Sequence, residues 1–205
     1  MFKWNLKQKI KTAIFGGFQG KLESLEMKAS SQEIQTLIQL NYHYFSKLNH
    51  KLPTFDWVGF KTYSQFEEDG ILLYIFSMIG TTNKSVVEIC AGNGQECMAA
   101  NLIINHGWRG YLFDGSEVNV KSGQEFYAKH HQTFLMPPLF KQAWFTAENV
   151  NDILTKAGVA GEVDLLSLDI DGMNYWIWKA IDVIRPRVCV FETHNVIPSH
   201  LSSQV

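Results

Sequence analysis

The chain carries 205 residues, 46% of them hydrophobic and 19% charged, with a formal net charge of −2. That is enough apolar material for one full core with an extension, and the near-neutral balance excludes a dedicated, strongly basic nucleic-acid binder. The charge is unevenly placed: residues 1–51 hold eight lysines against three acids, a net of +5, whereas residues 52–205 hold ten basic against seventeen acidic side chains, a net of −7.

At the N-terminus Phe2, Leu6, Ile10, Ile14 and Phe18 recur every fourth residue beside Lys3, Lys7 and Lys11. This spacing predicts a basic amphipathic helix interrupted at Gly16 and Gly17. Residues 1–20 then suit either peripheral contact with an anionic membrane or packing, on the chain's own domain or on a second copy in a homo-oligomer. The stretch "SSQEIQTLIQLNYHYFSKLN" predicts a second helix with Ser31 as its cap. "HKLPTFDW" reads as a linker, because Pro53 halts that helix. Residues 1–55 thus form a helical N-terminal extension, and 56–205 the main domain.

From residue 64 the rhythm changes. Helices over "QFEEDGILLYIFSMIG", "ECMAANLIINHG", "SEVNVKSGQEFYAKHH", "TAENVNDILTKAG" and "MNYWIWKAID" alternate with strands over "SVVEIC", "GYLFDG", "LFKQAWF", "VDLLSLDID" and "RVCVFETH". Thr146 is the expected N-cap of the fourth of these helices and Gly158 its stop. The alternation predicts an α/β fold, a Rossmann-like doubly wound parallel sheet. The three cysteines, Cys90, Cys97 and Cys189, have neither disulfide parity nor metal-ligand spacing. They place the chain in a reducing, cytoplasmic setting. No run of 18 apolar residues and no signal-like start occurs, so neither a membrane span nor secretion is expected.

Ligands of such sheets bind at the carboxyl ends of the strands. Polar residues gather at those ends: Glu88 in the first, Asp114 after the second, Asp169 and Asp171 after the fourth, Glu192 and His194 after the fifth. Unpaired buried carboxylates are costly, so four strands aiming acids at one edge point to a site. The turn "VVEICAGNGQE" has Gly92 and Gly94, but Cys97 where a dinucleotide fingerprint needs its third glycine. That pattern suits a ligand without a diphosphate, and the helix after Gly94 offers free N–H groups to a ligand carboxylate. Asp114 lies twenty residues past Gly94, where an acid accepts from both ribose hydroxyls. Trp176 and Trp178 flank Ile177 and are expected to pack their helix on the sheet, with one ring partly exposed.

"VVEICAGNGQE" with "LFDGSE" resembles the first two motifs of class I S-adenosylmethionine-dependent methyltransferases. "SQFEEDGIL", "GWRGYLFDGSE", "TAENVN" and "LLSLDIDGMNYWIW" together resemble an FkbM-like subgroup. The resemblance covers residues 64–197. It implies that Glu88, Gly92 and Gly94 form the cofactor loop and that Asp114 clamps the ribose. Phe145 and Thr146 would lie near the adenine, and Ser64 and Gln65 at the methionine end. The chain departs from the family in having Cys90 where the loop has its first glycine, and in stopping soon after the fifth strand, short of the closing antiparallel hairpin.

"LDID" and "ETHN" are similar to the cation site of metal-dependent O-methyltransferases, which implies Asp169, Glu192 and Asn195 as ligands of a divalent cation; oxygen-only ligands suit Mg²⁺ or Ca²⁺ rather than zinc. Asp169 can equally hold the cofactor amine or cap the next helix. Deprotonation of the acceptor then falls to Asp169 with a cation or to His194 without one. The resemblance implies O-methylation of a sugar or another small-molecule hydroxyl. A non-catalytic, truncated binding module and an NAD-dependent oxidoreductase are the rival readings.

Overall fold

Strands form where β-branched and aliphatic residues run without a polar break, and helices where the apolar repeat widens to three or four. A computed structural model of the chain describes residues 32–48 and 52–192. The expected helix over residues 1–18, the cap at Ser31, and both His194 and Asn195 lie outside the described residues. Within them the helices are α1 (Gln32–Lys47), α2 (Phe55–Val58), α3 (Glu68–Ile79), α4 (Met98–His106), α5 (Glu117–Lys129), α6 (Val150–Lys156) and α7 (Asn174–Ala180). The strands are β1 (Ser85–Ile89), β2 (Arg109–Asp114), β3 (Leu139–Gln142), β4 (Gly161–Leu168) and β5 (Ile184–Phe191).

All strands pair in parallel in one sheet of order β3-β2-β1-β4-β5. This is the Rossmann-like α/β architecture expected from the alternation. The chain winds outward from β1 to β3, then crosses back to β4 on the other side of β1. That reversal makes the gap beyond the carboxyl ends of β1 and β4 the switch point of the sheet.

β1 is buried along its whole length, and the period of two divides its side chains between two cores. Val86, Leu112 and Leu165 pack with Leu72 and Phe76 of α3 and with Leu102, Ile103 and Ile104 beneath one face. Val87, Ile89, Phe113 and Leu166 pack with Val150, Leu154 and Ile177 of α6 and α7 beneath the other. A third cluster joins Ile38 and Tyr42 of α1 to Val58, Phe60, Leu73 and Tyr74. The segment expected as an extension therefore shares apolar core with α3.

Several boundaries differ from the sequence expectations, each for a local reason. α1 ends at Lys47, ahead of Pro53, and "FDWV" in the linker closes a further turn as α2. β3 holds only four residues, and Ala143 to Thr146 leave the sheet. Thr146 does not cap a helix: its carbonyl closes a turn with Asn149 and Val150, and Asn149 becomes the N-cap of α6. In α7 only Ile177 is buried, so both Trp176 and Trp178 remain half exposed. Among the described residues no helix is long and apolar enough to cross a membrane.

Candidate active site

The turn after β1 is built on backbone conformations that side chains resist. Cys90, Gly92 and Gly94 all have positive φ, at 67°, 56° and 70°. Glycine adopts these freely; Cys90 occupies the left-handed region with a Cβ, a cost of about 1–2 kcal/mol. The two glycines differ in purpose. A Cβ on Gly94 would lie 2.6 Å from the Phe140 ring, so that glycine serves packing. A Cβ on Gly92 would meet nothing within 4 Å, so the backbone there borders open space.

Glu88 does not face that space. It is only 3% exposed, and its Oε1 and Oε2 accept the N–H groups of Met98 and Ala99 at 3.0 and 2.7 Å. The first free donors of α4 are thereby satisfied from within. The physical reason is the pleat: Glu88 shares the face of Val86, against which α4 packs. Burial pushes the Glu88 carboxyl up, while the bonds from Ala99 and Met98 and the side chain of Cys97 oppose the shift. The expectation that this helix start would receive a ligand carboxylate is corrected accordingly, and Glu88 supports the loop from below.

Asp114 ties the first two loops together. Its Oδ2 accepts from Gly92 N–H at 2.9 Å, and its Oδ1 from Ser116 N–H at 2.8 Å and Asn119 Nδ2 at 3.1 Å. Ser116 caps α5 by accepting from Asn119 N–H. The open backbone of Gly92 thus lies directly beside the acid expected to hold a ribose.

Asp169 follows β4, and its N–H donates to Ile89 O across the switch point. Burial first, then the neighbouring Glu192 carboxyl, and then Glu88 and Asp171 push Asp169 up to about 7. Between these loops lies Cys90, whose thiol is pushed up to about 11 by burial and by Asp114, Asp169, Asp171 and Glu88. Of the strand-end acids expected from the sequence, Asp114, Asp169, Asp171 and Glu192 therefore gather toward one edge, while Glu88 lies beneath it. Asp169 and Glu192 are neighbours, as a cation site needs, but the third expected ligand, Asn195, lies outside the described residues. Among the described residues no group of three or more His, Cys, Asp or Glu side chains is placed to hold a metal ion.

Phe145 stacks edge-on against Phe113 with ring centres 5.2 Å apart, which carries Thr146 toward the same edge. Thr146 N–H donates to Asn149 Oδ1 at 2.8 Å. Gln65 lies in the loop before α3, its carbonyl accepting from Lys61 Nζ. Lys61 also approaches Glu96 at 3.7 Å, bringing this loop beside the glycine turn. A shallow groove of about 600 Å³ opens there between Lys61, Gln65, Phe66, Glu67, Glu68 and Ile71.

Asp69 is a buried acid that escaped the sequence reading. Asp69 is fully enclosed, and its Oδ2 accepts the N–H groups of Thr62, Tyr63 and Ser64 at 2.7, 2.6 and 2.9 Å. Its Oδ1 has no hydrogen-bond partner among the described residues. Burial pushes this carboxyl up despite those donors. The signal was available: an acid on the core-facing side of "EEDGILL" has no reason to be there except to hold the loop folded over it.

No protein-family model matches the chain, and no curated protein matches it in sequence. Among solved structures, the glycopeptide N-methyltransferase MtfA complexed with (S)-adenosyl-L-methionine is similar over 50% of this chain and 40% of that one, with a TM-score of 0.34 and 12% identity.

Proposed function

We propose that the chain is an S-adenosylmethionine-dependent methyltransferase that acts on a small-molecule hydroxyl. The observation that carries this reading is the edge at the switch point, where open backbone at Gly92 lies beside Asp114, and Asp114, Asp169 and Asp171 all act on neighbouring Cys90. A carboxylate-lined edge attracts a cationic nucleoside and repels a diphosphate. The missing third glycine of the dinucleotide fingerprint points the same way.

When bound, the cofactor supplies a methyl group made electrophilic by its sulfonium. The chain's own residues bind, orient and move a proton. Asp114 accepts from the ribose hydroxyls, with Gly92 giving the backbone clearance. Phe145 and Thr146 border the adenine, and Gln65 the methionine end. Asp169, with its carboxyl near 7, takes the proton from the acceptor hydroxyl as the oxygen attacks. Orientation of the two reactants carries most of the barrier reduction, up to about 7–11 kcal/mol.

The test is calorimetric titration with S-adenosylhomocysteine and with NAD⁺, on wild type and Asp114→Ala. The expected result is micromolar binding of the first, weakened roughly a hundredfold in the variant through loss of charge-assisted hydrogen bonds. Binding of NAD⁺ instead would overturn the reading in favour of an oxidoreductase. Silence with both ligands, in protein with a cooperative thermal transition, would assign the chain to the non-catalytic class.

A further inference from the structure

The amino end of the sheet, opposite the acid-lined edge, carries an apolar tip. Between α5 and β3 the consecutive side chains Phe134, Leu135 and Met136 are exposed at 54%, 85% and 72%. The tip is not slack. Thr133 is buried beneath it and donates its hydroxyl to Tyr127 O at 2.6 Å. The N–H groups of Thr133 and Phe134 both donate to His130 O, and Met136 N–H donates to Thr133 O. Pro137 and Pro138 then lead into β3. An ordered turn that holds three apolar side chains in water contributes nothing to the core and has the form of an insertion point.

Basic residues share this end of the sheet. β2 and β3 pair Tyr111 with Leu139, so Arg109 stands across from Pro137, and Pro138 lies close against Gly110. Arg109 N–H in turn donates to Lys84 O, which sets Lys84 at the same edge. Lys129 and Lys156 occupy the last turns of α5 and α6, whose C-termini point the same way. The nearby acid Glu125 is paired with Lys129. Glu162, near the start of β4, and Asp182, just before β5, share this end of the strands, and Glu162 O accepts from Asn83 Nδ2 beside Lys84. The half of this end formed by β1, β2 and β3 therefore sets bases beside the apolar tip, while Asp114, Asp169 and Asp171 follow the carboxyl ends of the strands.

We propose that this end docks on an anionic lipid bilayer, with Phe134, Leu135 and Met136 entering the acyl boundary while Lys84, Arg109 and Lys129 meet the headgroups. Charge complementarity selects a bilayer over an uncharged protein groove, and repulsion of the acidic end orients the chain. The acid-lined edge then faces water, so its ligands arrive from the aqueous side. This inference does not rest on the proposed methyl transfer.

The test is flotation of the full chain with vesicles of phosphatidylcholine, with and without phosphatidylserine. The expected result is binding to the anionic vesicles alone. It should be weakened roughly tenfold or more by Phe134→Ser, Leu135→Ser and Met136→Ser together, and similarly by Arg109→Glu, at unchanged thermal midpoints. Equal flotation of wild type and both variants would overturn the proposal, because residues 1–20 or another surface would then be responsible. Absence of flotation would overturn it as well. Self-association lost in the triple variant, without vesicle binding, would assign the tip to a protein contact instead.

Discussion

Asp169 is the residue on which the proposed chemistry turns. Its carboxyl is pushed up to about 7 by burial first and by Glu192 second, so it changes charge within the neutral range. Below that pH it is neutral and holds a cation poorly; above it the charge returns. Affinity for S-adenosylmethionine should therefore rise as pH increases from 6 to 8, a window set by that titration. Glu192→Gln should move the midpoint down by removing the neighbouring charge, though not to the ordinary carboxylate range, since burial remains. Asp169→Asn should abolish the step. Titration calorimetry across the range checks this, and a flat profile in wild type would separate Asp169 from the ligand. The linkage to stability has the opposite sense. A carboxyl raised on folding favours the fold while protonated, and that contribution is lost as pH rises through about 7.

At the scale of elements, what was legible in the sequence was what a period can carry. The runs "SVVEI" and "LLSL" announced buried parallel strands, and Gly158, at φ of 76°, follows the end of its helix where glycine had been read as a stop. The placement of acids at strand ends followed from that order. What no period carries is the partner of a buried polar group. Glu88 was read as facing a ligand because a strand end is near the site; that its pleat aims it at α4 depends on which helix covers that face. Thr146 was read as a cap because it precedes an apolar repeat, but Asn149 competes for the same turn and bonds back to Thr146 N–H. Asp69 was passed over because its partners, the backbone of residues 62–64, become donors only once the loop folds.

Asp164 shows the same limit and gives a test of it. The side chain is fully enclosed in β4, where it accepts from Arg187 Nη1 of β5 at 2.7 Å and from the N–H groups of Thr82, Asn83 and Lys84. Arg187 also donates to the carbonyls of Ile79 and Gly80, joining the end of α3 to the sheet. Burial pushes this carboxyl up, but Arg187 and the backbone donors outweigh it and hold it below the usual range. A depressed carboxyl stabilises the fold above its unfolded pKa of about 3.9 and loses that contribution as pH falls through the folded value. Arg187→Met leaves the buried charge without its cation and should cost about 2–4 kcal/mol at pH 7. Acid unfolding should begin at higher pH in the variant. Urea unfolding at neutral and acidic pH measures both, and wild-type midpoints in the variant would show the pair to be idle.

Across the whole molecule, the question is whether α1 is an appendage or part of one cooperative unit. Its buried Gln35 decides the matter chemically. Gln35 and Asn101 of α4 exchange two hydrogen bonds at 3.0 and 2.9 Å, Asn105 donates to Asn101 at 2.7 Å, and His106 Nε2 reaches Gln35 Oε1 at 2.7 Å. Burial, followed by Lys84, pushes His106 down to about 4. The ring is thus neutral at pH 7, and its Nε2 must carry the proton it gives to the amide oxygen. Asn101 and His106 each lose a partner if Gln35 is removed. Gln35→Leu should therefore cost about 2–4 kcal/mol, the penalty of buried polar groups left unpaired. Because α4 also carries the turn held by Glu88 and the core residues Leu102 to Ile104, that loss cannot stay local to α1. Far-UV circular dichroism and tryptophan fluorescence should report a single transition in wild type and variant alike, shifted together to lower urea. Two separated transitions, or a variant as stable as wild type, would mean that α1 rides on the sheet domain without being part of it. A single shifted transition would mean that the acid-lined edge is held in shape, through α4, by a helix that lies nowhere near it in the chain.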